Sequence, residues 1–419
     1  MEPGMTPAHS PTHNPAQTID IIGAGPTGLM AAEQLSASGH HVHLYDAMPS
    51  VGRKFLMAGR SGLNLTHAEP LDHFLTRYGT AQSWLEPAIR AFPPEALRAW
   101  AEELGQPCFT GSSGRVFPKT LKASPLLRAW LNRLTASGVS LHTRHRFTQC
   151  SAAGNHFSTP NGEHISQPAA TLLALGGASW SRLGSDGAWS HLFPGTVTPF
   201  APSNCGFVPA WSPEFQTRHD GTILHGIALT IEGHTRRGDL TVTQRGLEGS
   251  ALYALSPILR EQLAQHGQVT TTLDLRPTLT ITQIEERLNA QRPRESLSNR
   301  LRKALSLDTL GRDLLRDATP KGATPTELAR AIKALPLTLK ATDTLDRAIS
   351  TAGGLKHSAM NEHYMLHTHP GLFAAGEMLD WEAPTGGYLL QACFSTGLAA
   401  AKGITHWLES QDSAIRLTP

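Results

Sequence analysis

Short β-branched runs alternate with amphipathic stretches through roughly the first 180 residues, a spacing that predicts an α/β unit. Thr18–Ile22 reads as a buried strand and runs straight into Gly23-Ala24-Gly25-Pro26-Thr27-Gly28. A helix is expected over residues 29–38, stopped by Gly39, and a second strand over residues 41–45 that finishes at Asp46. Further helices are expected over residues 93–105 and 124–137; in the latter Leu126, Leu127, Trp130, Leu131 and Leu134 recur at i, i+3 and i+4. Residues 139–143 and 170–175 read as strands, the second ending in Gly176-Gly177.

The pattern changes near residue 197. Short alternating runs at residues 227–232, 239–243 and 268–275 predict an antiparallel β module, and residues 280–335 turn helical and charged. From residue 351 the glycine-rich, apolar style of the first part returns, and an apolar helix is expected through Lys402. The expected division is a disordered tail at 1–17 and a first nucleotide-domain part at 18–196. An inserted β domain follows at 197–279, a helical subdomain at 280–334, a return strand at 335–345 and the rest of the first domain at 346–412.

Composition narrows the class. Among 419 residues, 36 Lys and Arg face 34 Asp and Glu, which argues against a polyanion binder driven by bulk charge but leaves room for a local basic patch. The four cysteines form no CxxC pair, so neither a disulfide framework nor a zinc knuckle is expected. The first seventeen residues lack a basic, then apolar, secretory pattern and no run is long enough to span a bilayer; a cytoplasmic protein with no membrane partner is expected.

Gly23, Gly25 and Gly28 form a G-x-G-x-x-G between a strand and a helix. The first glycine permits the tight turn, the second a close approach of a pyrophosphate, the third close helix–strand packing. Pro26 and Thr27 open the helix whose N-terminus faces the phosphates, and Asp46 stands where a carboxylate accepts from ribose hydroxyls. The far end of the chain supplies a second set. Glu377 beside Gly376 can bind ribityl hydroxyls, and a helix N-terminus at Gly386-Gly387 can stabilise charge on a reduced flavin. That closure from the C-terminal end favours FAD over a simple nicotinamide site. No second G-x-G-x-x-G occurs, so any NAD(P)H is expected only as a transient electron donor.

Several runs resemble one family along nearly the whole chain. They are Gly52-Arg53-Lys54-Phe55-Leu56-Met57-Ala58-Gly59 with Asn64-Leu65-Thr66, Gly114-Arg115-Val116-Phe117-Pro118, Leu173-Ala174-Leu175-Gly176-Gly177, and Gly246-Leu247-Glu248-Gly249. The strongest run from Thr351-Ala352-Gly353-Gly354 through Gly376-Glu377-Met378-Leu379-Asp380 to Thr385-Gly386-Gly387-Tyr388-Leu389-Leu390-Gln391. The chain resembles the BaiN/RdsA-like NAD(P)/FAD-dependent oxidoreductases, also called the aminoacetone oxidase family. The resemblance implies an α/β, Rossmann-like FAD-binding domain interrupted by an inserted antiparallel β domain with a helical subdomain. It places Arg53 and Lys54 near the FAD phosphates, and Gly59, Asn64, Gly176 and Gly177 in cofactor-binding motifs. Members are associated with aminoacetone oxidation, reduction of conjugated double bonds in steroid acids, and reduction of uridine in ribosomal RNA. One departure marks a cysteine-lacking branch: where most of the family has Gly-Arg-Cys-Asn, this chain has Ser61-Gly62-Leu63-Asn64.

The expected activity is FAD-dependent hydride transfer through flavin N5 on a small molecule. An RNA-directed flavoenzyme and a non-catalytic flavin-binding module are the alternatives. Arg60 and Asp380, each in a flavin-proximal motif, are the candidate catalytic contacts, with Asp380 equally readable as a structural cap. Tyr388 and Trp381 either border the flavin or simply pack. His363, His367 and His369 share a face by parity but lack an acidic or cysteine partner, so a solvated hairpin is expected and no metal site. Arg292, Arg294, Arg300, Arg302 and Lys303 cluster in the helical insert, as a solvated face or as a reader of ribosomal RNA phosphates.

Overall fold

The computed structural model describes residues 16–60, 62–292 and 294–416, with side chains through residue 411; of the expected N-terminal tail only Ala16 and Gln17 lie within them, and Ser61 lies outside. Five parallel strands form the central sheet in the order Leu372–Ala374, Ala170–Leu173, Thr18–Ile22, His41–Asp46 and Ser140–Thr143. The three on one side are buried almost throughout, as parallel strands covered on both faces must be. The first helix spans Pro26–Ala37, three residues earlier than its apolar periodicity indicates. Proline fixes φ near the helical value and needs no N–H partner at the first position, so the helix starts directly after Gly25.

That helix packs along the last one, Tyr388–Arg416. The sheet's other flank carries an antiparallel meander, Arg146–Ser151, Gly154–Thr159 and Gly162–Ser166, whose Phe157 stacks on Tyr45 with ring centroids 4.2 Å apart. A small antiparallel sheet of Thr66–His67, Arg115–Pro118 and Cys108–Thr110 stands apart from both.

An antiparallel ladder of Val197–Ser203 with Ser350–Leu355 leads out of this domain and back. Beyond it the inserted strands close into a barrel: Phe207–Pro209, Gly246–Glu248, His234–Thr243, Ile223–Ile231, Val269–Asp274 and Leu335–Thr342. Closure leaves this small sheet no free edge. Four helices, Ile281–Asn289, Leu297–Leu305, Thr309–Ala318 and Pro325–Lys333, fill the connection between its last two strands. Each starts at a Thr, Ser or Asp whose side chain accepts an N–H of the first turn, at Thr280, Ser296, Asp308 and Thr324. The described residues therefore hold two hydrophobic cores. One lies around the parallel sheet; the other is shared by the barrel and its helices.

Residues 361–371 contain turns and isolated bridges rather than a regular hairpin. His363 lies tilted against His406 and His369 meets Phe193 edge-on, so these two histidines face different neighbours. Among the described residues no group of three metal-ligating side chains is present, and no helix is long and apolar enough to cross a membrane.

Candidate functional site

A cavity of about 580 Å³ opens at the C-terminal ends of the central strands, where open α/β sheets place their ligands. Gly23 leaves its strand at φ +108°, and a Cβ there would stand 2.2 Å from the Ala174 carbonyl oxygen. Only glycine fits that turn. At Gly25 a Cβ would meet nothing within 4 Å, because the position faces open cavity space. The Asp46 carboxylate braces this loop, accepting from Ala24 N–H at 3.0 Å and Met48 N–H at 2.8 Å. Burial raises its pKa, against the two backbone donors and the nearby Arg53 charge.

Residues far apart in the chain meet on the same wall. Gly23, Gly25, Pro26, Thr27, Asp46, Arg53, Lys54, Asn64, Gly176, Glu377, Gly386 and Gly387 all line the cavity. Lys54 Nζ donates to Glu377 Oε2 at 2.7 Å and to Ser179 Oγ at 3.1 Å, while Glu377 Oε1 accepts from Thr351 N–H. Asn64 Oδ1 and Arg53 Nε are buried with no hydrogen-bond partner in the protein. Buried polar atoms are seldom left unsatisfied, and a polar molecule bound here would satisfy both. The open face of Gly25, the helix N-terminus behind it and these two atoms fit a dinucleotide.

The remaining expected residues lie elsewhere. Gly28, Gly59, Gly177 and Gly376 pack behind the cavity wall, where a Cβ would collide with Gly23, Ala123, Thr351 and Thr27 respectively. Tyr388 turns its ring onto His67 and donates its hydroxyl to Glu69 at 2.5 Å. Burial alone would raise the Glu69 carboxyl, but hydrogen bonds from Arg77, Tyr388 and His73 outweigh it and hold the group at about 2. Trp381 is packed, its indole N–H donating to the Gly376 carbonyl. Arg60 is exposed, and Asp380 accepts from Thr198 Oγ1 at 2.6 Å; neither is among the residues lining the cavity.

Leu63, at the family's thiol position, is fully buried. Cys393 does line the cavity, but burial pushes its thiol up to about 12, with Glu377 adding to the rise. It is therefore a neutral packing group rather than a thiolate at neutral pH.

Pattern reading passed over the opposite wall. Arg115 and Phe117 come from the small sheet, Ser250 and Tyr253 from the short helix Ser250–Tyr253 beside the barrel, and Ile349, Ser350 and Thr385 from the crossing segments. The signals for any of them were the Gly114–Pro118 motif, which holds Arg115 and Phe117, and the run that opens at Thr385.

The HI0933-like protein Rossmann domain matches residues 17–403. The chain belongs to this family. The family's members are FAD-dependent oxidoreductases, and the chain shares that character. A 3-dehydro-bile acid delta(4,6)-reductase of Clostridium scindens is 24% identical over 92% of this chain and 98% of that protein. A ribosomal RNA dihydrouridine synthase of Haemophilus influenzae is 23% identical, again over 92% of this chain and 98% of its own length. Among solved structures, a 3-ketosteroid-delta4-(5alpha)-dehydrogenase from Rhodococcus jostii is 14% identical with a TM-score of 0.46, covering 96% of this chain and 99% of that one.

Proposed function

We propose that this chain uses FAD to pass hydride to or from a small molecule, reducing a conjugated double bond or oxidising an amine, with NADH or NADPH as a transient donor in the reductive case. The observation that carries the reading is the convergence of Gly25, Asp46 and Lys54 from one end of the chain with Glu377 and Gly387 from the other on a single cavity. In this reading the Gly25 loop and the helix Pro26–Ala37 receive the pyrophosphate, with Arg53 beside them, and Asp46 and Glu377 receive hydroxyls. The start of Tyr388–Arg416 faces the ring system. Bound FAD supplies a hydride donor or acceptor at N5.

The chain's own side chains do the rest. Phe117, Ile349 and Leu389 give the cavity apolar lining that excludes water. Tyr253 offers the proton that reduction of a polarised double bond needs. Burial raises its phenol, helped by Glu248, whose Oε2 lies 3.5 Å away, so the hydroxyl stays protonated at neutral pH and can donate. A cytoplasmic setting belongs with this reading. Reduction of uridine in RNA is the second reading, favoured by the synthase relative and by exposed Arg292, Arg294 and Arg302.

Anaerobic stopped-flow spectroscopy tests the proposal. The purified protein should be yellow, bleach with NADH or NADPH, and regain colour on mixing with a 3-oxo-4-ene steroid. Tyr253→Phe should slow that recolouring by about 10²-fold without changing flavin content. A colourless protein, or a reduced flavin indifferent to unsaturated acceptors, defeats the reading.

A further inference from the structure

We propose that Arg115 is the anchor for an anionic group, a carboxylate on an apolar body, so that the substrate of this site is an organic acid. The inference rests on the functional reading above and names its substrate class.

Among the described residues two arginines line the cavity, on different elements. Arg53 opens the helix Arg53–Ala58 next to the glycine loop, where Gly52 N–H donates to the Ala24 carbonyl. Arg115 stands on the strand Arg115–Pro118, paired in register with His67, on the wall that also carries Phe117 and Gly62. Side chains at positions i and i+2 of a strand point the same way, so Arg115 and Phe117 present a cation and an aromatic face together. Phe117 is itself backed by Phe109, ring centroids 5.8 Å apart.

The Arg115 guanidinium makes no hydrogen bond or ion pair with any described residue. Its possible partners are committed. Of the two carboxylates lining the cavity, Asp46 holds the Ala24 and Met48 N–H groups, and Glu377 holds Lys54 and Thr351. Glu69, two residues beyond the strand partner His67, is taken by Arg77 at 2.7 Å and 3.0 Å, by His73 and by Tyr388. A half-buried cation with no counter-charge is unfavourable until an anion arrives, and a guanidinium fork suits a carboxylate in particular. Phe117 beside it and Ile349 elsewhere on the lining give the acid's apolar body surfaces to bury against, with Ser250 and Tyr253 supplying hydroxyls.

Isothermal titration calorimetry on the full-length protein, with a 3-oxo-4-ene bile acid and its neutral methyl ester as paired probes, tests the assignment. Wild type should bind the acid about tenfold or more tighter than the ester. Arg115→Gln should bring the acid down to the ester's affinity while ester affinity and flavin content stay unchanged. Arg115→Lys should restore part of the gap, since a point charge lacks the fork. A gap that survives in Arg115→Gln, equal affinities in wild type, or no binding of either probe overturns the proposal. So does salt-sensitive binding of a ribosomal RNA fragment that Arg115→Gln abolishes while the acid shows no preference. Protein without flavin that still separates acid from ester through Arg115 would overturn the oxidoreductase reading and uphold the anchor.

Discussion

Lys54 and Glu377 are 323 positions apart in the chain, yet Lys54 Nζ lies 2.7 Å from Glu377 Oε2, with the two side chains 24% and 15% exposed. The pair ties the helix Arg53–Ala58 to the turn Gly376–Met378, so the first and last segments of the domain are pinned where they meet on the cavity.

An ion pair this far from solvent should be worth more than a surface pair, and losing one partner strands the other's charge. Lys54→Met and Glu377→Gln are each expected to destabilise the fold. A double-mutant cycle in urea should give a coupling energy of about 1 kcal/mol or more. Coupling indistinguishable from zero would mean that the two groups do not depend on each other.

Neighbouring glycines of one loop should fail in different ways. Gly25→Trp adds a side chain toward open space, so the protein should fold with unchanged circular dichroism and melting temperature but purify without flavin. Gly23→Ala combines φ +108° with a Cβ 2.2 Å from Ala174 O, and should cost about 1–3 kcal/mol of stability by urea denaturation. Retained flavin in Gly25→Trp would show that the cofactor does not approach this loop.

The cavity wall built from the glycine loop was legible because local rules cover it. A buried strand, a glycine turn, a helix and a terminal aspartate are all encoded within about thirty residues. The opposite wall was not. Thr66–His67 and Arg115–Pro118 are too short to show alternation, and their pairing spans nearly fifty residues of intervening chain. Arg115 therefore shows only as a member of its motif until the ladder pairs it with His67 on the cavity wall that carries Phe117. The Lys54–Glu377 pair is hidden for the same reason, since nothing local records a partner 323 residues away. The final helix runs well past Lys402 to Arg416, because its second half is amphipathic rather than uniformly apolar.

A pH dependence should come from the meander flank. His142 stacks on Tyr45 with centroids 4.6 Å apart and lies 2.9 Å from His43. Burial draws its pKa down from 6.5 to about 4, with His43, His145 and His164 adding like charge. The unfolded chain therefore takes up this proton at higher pH than the folded one. Stability from His142 is whole above pH 6.5 and declines as pH falls from there to about 4. His142→Phe keeps the stacking ring and cannot protonate. Its melting temperature should fall less steeply than wild type across that window, measured by differential scanning calorimetry; parallel curves would remove His142 as the cause.

The basic helical insert separates small-molecule from RNA chemistry, and several of its cations already have work inside the subdomain. Lys303 Nζ pairs with Glu295 at 2.8 Å, Arg300 donates to the Leu288 carbonyl, and Arg312 holds Asp308 O and Ser298. Within the run from Arg292 to Lys303 that leaves Arg292, Arg294 and Arg302, all exposed and without polar partners among the described residues. Replacing these three by serine removes charge without disturbing the internal contacts. With a small-molecule substrate, the variant should keep wild-type flavin reduction and turnover, and any ribosomal RNA binding should be weak. With an RNA substrate, affinity should fall steeply with salt, and the variant should lose about 0.7 of the log–log slope per residue, roughly 2 in all. A salt series of filter-binding measurements on both proteins decides between them. A slope change near 2, with turnover on RNA lost in the variant, would overturn the small-molecule reading.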